Sequence, residues 1–464
     1  MDDDPGKLGS SIFGVPIVGR YADIPKVVDS SDISMALIAT PAASHEENLS
    51  IVELCQRAGV PFKVLPAAST LLDDSINLSK IRDIDPVDLL GRPAAKLDAD
   101  EIRAAIRGKR VMVTGAAGSV GSELARQIGS LGPGLLCLVD HAENPLMFLE
   151  EELRTACPDV FVAALVGNVT DQAEMTNLMS QYRPQVVFLA AAHKHVYLME
   201  RTPAEAVKNN VGGTYVTARC AQEAGVETFV FVSTDKEVKP SSVMGSTKRL
   251  AEMLVQDLNQ EGPTRFISVR FGNVLGSNAS VVPIFKNQIA HGGPVTVTDP
   301  EAGRYFMGIS EAASLILQAA TSGDGGEIFV LDMGEPVSIL VLGEMVISLA
   351  GLKPYEDIEI VFTGLKSGEK LTEELHGDGE DLKLFGYEKL LVLRNGHAPD
   401  PIAGEVLRLI EDLPFLEANS VRARLQALVP EYRPTEYVVS NQTIAAQYRV
   451  APARGFPAGT ARTN

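Results

Sequence analysis

KRVMVTGAAGSVGSELARQI, residues 109–128, is the stretch whose reading decides the fold. The β-branched run Val111–Thr114 reads as a buried strand, and the apolar spacing from Ser119 to Ser130 reads as a helix. Between them Gly115, Gly118 and Gly121 set the pattern GxxGxxG. In a dinucleotide-binding unit the first glycine allows the tight turn, the second lets the backbone approach a pyrophosphate, and the third lets helix and strand pack closely. The helix then presents free N–H groups to the phosphates. The competing reading is a glycine turn with no cofactor, and the placement between strand and helix argues against it. A second strand, Leu135–Val139, ends in Asp140, where a carboxylate takes the adenosine ribose hydroxyls and repels a 2′-phosphate. The dinucleotide predicted is therefore NAD.

Downstream, apolar runs at Val160–Val166, Val186–Ala190, Thr228–Val232 and Phe266–Arg270 recur at the spacing of βαβ units. The predicted fold class is α/β, a Rossmann-type doubly wound parallel sheet with a smaller substrate-binding lobe. Such sheets hold their ligands at the carboxyl ends of the strands, so the following loops carry the functional candidates. Asn168 and Val169 are placed to face the adenine, and Ala190, Ala191 and Ala192 are small enough to pass close beneath a cofactor. His193 and His195, two apart, invite a metal reading. With no nearby cysteine, further histidine or paired carboxylate, hydrogen bonding at the sheet edge is preferred, and no metal is predicted.

The segment VSTDKEVKPSSVMGSTK, residues 232–248, follows another strand. Ser241 or Ser242 caps the next helix, whose spacing runs from Val243 through Leu254. Met244 and Lys248 are four apart and share one helix face. Thr234, Asp235 and Lys236 at the strand end, with Lys248 opposite, place an acid, a base and a cation within reach of one bound molecule. A surface loop of solvated charges is the alternative, and these residues alone leave the two open.

Length and composition set the outer bounds. A chain of 464 residues with 45% hydrophobic and 22% charged content is a folded protein of two domains, or one large and one small. A formal charge of −19 argues against nucleic acid, and any anionic ligand must be held by local cations. Cys55, Cys137, Cys157 and Cys220 lie far apart, which fits a reducing compartment and a cytoplasmic location. No apolar run of membrane-spanning length and no basic-then-apolar leader occurs in the sequence as given.

Residues 1–80 read as a partial small α/β domain with strands at Met35–Thr40 and Pro61–Leu65 flanking a helix at Glu46–Ala58. The unit opens abruptly on MDDDPGKLG, suggesting that sequence upstream has been cut away. Residues 81–108 read as a linker with one helix, Asp98–Arg107, started by an Asp cap. Residues 109–390 are the cofactor- and substrate-binding domain, 391–448 a helical segment with helices at Ile402–Glu411 and Ser420–Leu428, and 449–464 a disordered tail.

TGAAGSVGSELARQI, LVDHAENPL, FLAAAHKHVYLMERTPAEAVKNNVGGT, VSTDKEVKPSSVMGSTKRLAE, RFGNVLGS and SGEKLTEEL follow one another in this order. Together they resemble the nucleotide-sugar dehydratases of the extended short-chain dehydrogenase/reductase superfamily. More narrowly, they resemble the membrane-anchored UDP-N-acetylglucosamine 4,6-dehydratases of bacterial capsule, O-antigen and protein-glycosylation pathways. The resemblance covers roughly residues 109–390 and implies a soluble piece of a homo-oligomeric protein whose full length is anchored at the cytoplasmic face of the inner membrane.

It also implies a chemistry. Hydride leaves sugar carbon 4 for NAD, a base takes the proton from carbon 5, an acid helps the 6-hydroxyl depart, and the hydride returns to carbon 6. In this mapping Asp235 is the acid, Lys236 the base with a lowered pKa, Thr234 a hydrogen-bonding group near the 4-hydroxyl, and Lys248 the holder of the nicotinamide ribose. The cofactor set extends to Ala117, Ser119, Val120, His141 and Asn210, and the substrate set comprises Lys194, Arg270, Asn273, Ser277, Arg304, Glu369 and Lys370. Met244 stands where most of the superfamily has the tyrosine of Tyr-x-x-x-Lys, and a thioether accepts no proton. The narrower subfamily tends to share that methionine, which favours a dehydratase over a tyrosine-dependent 4-epimerase; an inactive, degenerate enzyme is the other reading. Lys366-Ser367 replaces the usual Arg-Pro and Asn168 the usual Asp, and a lysine cannot grip a phosphate with arginine's fork.

Overall fold

The strand Arg110–Thr114 (β1) sits inside a nine-stranded sheet in the computed structural model, which describes residues 1–40, 45–64, 95, 97–277, 280–393 and 401–435. The other members are Leu135–Asp140 (β2), Val162–Val166 (β3), Val186–Leu189 (β4), Thr228–Val232 (β5), Arg265–Arg270 (β6), Ile328–Leu331 (β7), Leu382–Leu384 (β8) and Leu390–Leu393 (β9). Their spatial order is β8-β9-β7-β6-β5-β4-β1-β2-β3. The pairs from β3 across to β7 are parallel, while β9 runs antiparallel to β7 and β8 antiparallel to β9. The strand order reverses between β1 and β4, and this switch point opens the crevice in which doubly wound sheets take their ligands.

β1, β2, β4 and β5 are apolar on both faces because both faces are covered, which is why they appear in sequence as unbroken hydrophobic runs. On one face Leu124, Ala125 and Ile128 pack with Leu315, Ile316 and Ala319. On the other Leu250, Leu254 and Leu258 pack with Val406, Leu409, Val421 and Leu425 from the C-terminal helices Ala403–Asp412 and Ala418–Leu428. A third core belongs to the smaller lobe, where Phe285, Leu342, Met345 and Val346 meet Ile24, Ile51, Val52 and Cys55 of the N-terminal unit. That unit has two parallel strands, Ala36–Ile38 and Phe62–Val64, around the helix His45–Arg57. Gln56 fastens it by donating to the Ser348 carbonyl.

Expected and observed elements agree closely. The helix Ser119–Ser130 and the strand Thr228–Val232 have the expected bounds, and Asp98 caps the helix Ala99–Ile106 by accepting from the Glu101 amide. The helix expected from Val243 runs on to Leu258, and Ser242, not Ser241, caps it. Most of the expected linker, residues 81–94 and 96, lies outside the described residues, as do 436–464 with the expected tail. Among the described residues no helix is long and apolar enough to cross a membrane.

Candidate active site

The glycine turn has the geometry its spacing predicts. Gly115 adopts φ +68°, and a Cβ there would stand 2.5 Å from the Ala191 amide nitrogen. A Cβ on Gly121 would stand 2.1 Å from the Gly115 carbonyl oxygen, so helix and strand approach as only glycine allows. The cap position of the helix is Gly118, without a side chain to offer, and its first turn, with Ser119, Val120 and Gly121, carries no acidic residue. An anion there meets the positive end of the helix with no competing side-chain cap. Asp140 is buried at the end of β2; its Oδ2 accepts from the Ala117 amide at 3.0 Å and its Oδ1 from the Ala142 amide at 2.9 Å. Besides facing the crevice end of β2, Asp140 thus fixes the shape of the turn. His141, beside it, is exposed.

The neighbouring loops converge on the same end of the sheet. The Gly167 amide donates to the Asp140 carbonyl, and the Asn168 side chain closes its turn by accepting from the Thr170 amide and hydroxyl, both at 3.0 Å. Val169 is buried beneath it. Ala190 and Ala191 pass against Gly115, and Ala192 follows them in the same loop. Asn210, in the widened π turn Val207–Gly212, accepts from the His193 amide at 2.7 Å and donates to the His193 carbonyl and to Thr247. It clasps the loop after β4 to the helix that carries Met244 and Lys248. His193 lies 3.6 Å from Glu205, and burial lowers the Lys194 pKa.

At the end of β5 the chain makes one tight turn, Asp235–Glu237, whose side chains diverge. Lys236 Nζ donates to Asp235 Oδ1 at 2.9 Å and to Asn273 Oδ1 at 3.0 Å, and lies 3.9 Å from Glu373 Oε1. Thr234 Oγ1 also donates to Asp235 Oδ1, at 3.0 Å. The helix comes close enough for this only because residue 245 is glycine: a Cβ there would stand 2.2 Å from the Lys236 carbonyl oxygen. Met244 is buried in the core beneath this surface.

Several expectations change here. Lys236 does not have a lowered pKa: burial pushes it down, but the Asp235 and Glu373 carboxylates outweigh burial and hold it above the ordinary lysine value. Burial instead lowers Lys248, to about 8, against the pull of Glu237 and Glu252. Its Nζ donates to the Val232 carbonyl at 2.7 Å and sits 3.8 Å from the centre of the Phe231 ring. Arg270 is not available to a substrate. It is 1% exposed and directs its guanidinium at Glu252 (2.6 and 2.8 Å), Glu380 (3.0 Å) and Glu237. Burial and the neighbouring Glu252 keep Glu237 well above the usual carboxylate range, while Arg270 and its neighbours overcome burial to pull Glu252 down to about 2.

Asn273 turns to Lys236, and Ser277 is buried. Arg304 binds Glu369 at 2.8 Å and the carbonyls of Gly303 and Leu371, and Lys370 donates to the Val238 carbonyl at 2.7 Å. These cations brace the segment 367–375 against the turn Asp235–Glu237. Glu373 was missed in the sequence. Its signal was a second glutamate beside Glu374 in a loop already rich in charge, which local pattern alone does not separate from a solvated residue.

The sheet order and the glycine turn define a Rossmann-type, doubly wound α/β protein. The fold recurs in the dTDP-glucose 4,6-dehydratase DesIV of Streptomyces venezuelae, solved with NAD bound, at 21% identity, TM-score 0.52 and coverage of 58% of this chain and 88% of that one. Residues 111–395 match the polysaccharide biosynthesis protein family, and the chain belongs to that family. It is 43% identical over 92% of its length to the probable polysaccharide biosynthesis protein EpsC of Bacillus subtilis, covering 71% of that protein. It is 42% identical over 89% of its length to the capsular polysaccharide biosynthesis protein CapD of Staphylococcus aureus, covering 69% of it. A UDP-glucose 4-epimerase of Rickettsia rickettsii is 31% identical over 59% of this chain and 80% of its own. The X-ray structure of Pen from Bacillus thuringiensis shares 31% identity at TM-score 0.58, covering 63% of this chain and 90% of that one.

Proposed function

We propose that this chain catalyses the NAD-dependent 4,6-dehydration of UDP-N-acetylglucosamine to the UDP-4-keto-6-deoxy sugar, as a step in making a bacterial polysaccharide or glycoprotein sugar. The observation that carries the reading is the contact of Asp235 with Lys236 and Thr234 at a strand end beside the switch point. The residues fit the dinucleotide: a turn that a Cβ at Gly115 or Gly121 would fill, an uncapped helix start, and Asp140 at the end of β2. NAD, held by these groups and by the loops at Asn168, Ala190–Ala192 and Asn210, supplies the hydride acceptor and donor between carbon 4 and carbon 6.

The side chains handle the protons. Thr234 takes the 4-hydroxyl proton and passes its own to Asp235 Oδ1, with which it is already hydrogen-bonded. Asp235 then holds the proton that leaves with the 6-hydroxyl as water, and Lys236 collects the proton of carbon 5 and gives one back to that carbon at the end of the cycle. A lysine must be neutral to do so, and in the resting site the Asp235 and Glu373 carboxylates keep it charged against the opposing effect of burial. Arg304 and Lys370 brace the loop that closes over the sugar nucleotide.

A UDP-sugar 4-epimerase is the second reading, favoured by the Rickettsia relative. Met244 speaks against it, because a buried thioether cannot act as the phenolate base that such chemistry uses. Mass spectrometry together with NMR of the sugar nucleotide after incubation with the purified chain decides. Loss of one water supports the dehydratase, an unchanged mass with inverted carbon 4 sinks it in favour of the epimerase, and no turnover leaves an NAD-bound regulatory protein. Anchoring in a longer membrane protein and homo-oligomerisation belong to the same proposal.

A further inference from the structure

Glu373 is a buried carboxylate facing Lys236 to which the mechanism above gives no proton to carry. It reaches the turn from the segment 367–375, which is tied to the smaller lobe by the Gly303–Thr372 bridge and the Arg304–Glu369 pair. It is 4% exposed, and its Oε2 is buried without a hydrogen-bond partner. Oε1 lies 3.9 Å from Lys236 Nζ, and Oε2 lies 3.9 Å from Lys370 Nζ. Both distances are those of ion pairs one small movement short of a hydrogen bond. Asp235 Oδ2 is likewise buried without a partner, so two carboxyls flank one ammonium. The groups that face them are Asp235 on the turn, Asn273 after β6, Arg304 and Tyr305 from the smaller lobe, and Lys370 on the same segment as Glu373.

We propose that Glu373 is a positioning residue that takes the resting proton of Lys236, so that a neutral amine faces carbon 5. The step balances: the N–H bond of the Lys236 ammonium breaks, an O–H bond forms on Glu373, and an ammonium–carboxylate pair becomes an amine and a carboxylic acid. No electron moves. Burial suits Glu373 to the task by raising its proton affinity, and the Asp235 charge adds to this, against the pull of Lys236, Arg304 and Lys370. Asp235 cannot serve both ends, because the 4-hydroxyl proton already arrives there by way of Thr234. The division gives each carboxyl one proton and explains why two are buried around a single lysine. This rests on the dehydratase reading.

The test is Glu373→Gln, which keeps size and removes both charge and proton affinity. Two opposed outcomes separate a proton acceptor from a passive charge. In either case loss of the carboxylate makes Lys236 easier to deprotonate, read by reductive methylation of Lys236 as a function of pH and peptide mass spectrometry. If Glu373 only sets the local field, the variant turns over as fast as the parent or faster near neutrality. If it accepts the proton, turnover falls about 100-fold although Lys236 is more readily neutral, KM stays within about threefold, and the pH–rate profile loses one limb. Glu373→Asp, which keeps the carboxyl, recovers at least about tenfold of the loss. Unchanged or raised turnover in Glu373→Gln, a loss confined to KM, or no recovery with Asp overturns the proposal. The methylation profile stands apart from catalysis: an unshifted Lys236 shows that the two groups are not in contact. Absence of water loss with the parent protein sinks the dehydratase reading instead.

Discussion

Lys236 and Glu237 are consecutive, yet they serve two charge clusters built on different terms. Glu237 points inward to the Arg270 cluster, where one guanidinium is shared among Glu237, Glu252 and Glu380, and Glu252 is also held by Arg249 at 2.8 Å. Lys236 belongs to the other cluster, with Asp235 and Glu373, where carboxylate oxygens are buried without partners and the lysine side chain is 19% exposed. In the first, Glu237 Oε1 makes no hydrogen bond but lies against the Arg270 guanidinium, and the cluster is sealed beneath the sheet end; in the second, Asp235 Oδ2 and Glu373 Oε2 are left over beside a lysine that solvent reaches. The difference separates a buried charge whose partners close around it, which serves structure, from one with acceptors left over, which is a candidate for chemistry.

The comparison breaks first, and hardest, at Arg270. Arg270→Met takes the principal partner from the buried Glu252 and leaves it only Arg249, and the expected loss is about 3–5 kcal/mol of unfolding free energy in a denaturant titration. A loss under about 1 kcal/mol shows that the inner cluster is not what holds the sheet end together.

Asp235→Asn should do the reverse. It keeps shape and an acceptor for Thr234, so stability changes by less than about 1 kcal/mol while turnover falls roughly 10²–10⁴-fold. Substantial turnover in that variant removes Asp235 from the proton path.

A third effect lies between the clusters, at Lys248, whose folded-state pKa of about 8 is below the 10.5 of an ordinary lysine. The folded protein thus holds this proton less tightly than the unfolded chain does. The buried charge costs stability below about pH 8, and the cost fades as the pH rises towards 10.5. Unfolding free energy measured across that window for the cofactor-free protein should rise relative to Lys248→Met. Parallel curves for the two proteins refute the assignment.

The smallest effect is expected at Met244, which is buried in the core and carries no proton. Met244→Leu conserves volume, so turnover should stay within about threefold of the parent. A complete loss at unchanged stability gives position 244 a part in the reaction.

What was legible in the sequence was local. The helix Ser119–Ser130 and the strand Thr228–Val232 have the bounds that periodicity gave them, because burial on one stripe or on both faces writes itself into consecutive residues. Gly115 and Gly121 were readable for the same reason, since a left-handed turn and a close helix approach admit one residue type. Arg270 was misread. A motif marks it as a charged residue near the substrate, and its partners lie 18 and 110 positions away, at Glu252 and Glu380, where no local pattern connects them. One trace was available: Glu252 falls four residues beyond Lys248 and eight beyond Met244 on one helix face, and a carboxylate there that is turned to the core requires a buried partner.

The sequence by itself thus determined the doubly wound sheet, the glycine turn and which residues stand at the strand ends, because these follow from chain geometry over a few residues. Only the tertiary structure decided how the charges are shared. Whether Lys236 is pushed down by burial or held up by carboxylates depends on Glu373 arriving from the segment 367–375, and whether Arg270 meets a ligand or a carboxylate depends on a helix and a loop closing over it. Electrostatic energy is set by distance and solvent exclusion, and neither is a property of sequence separation.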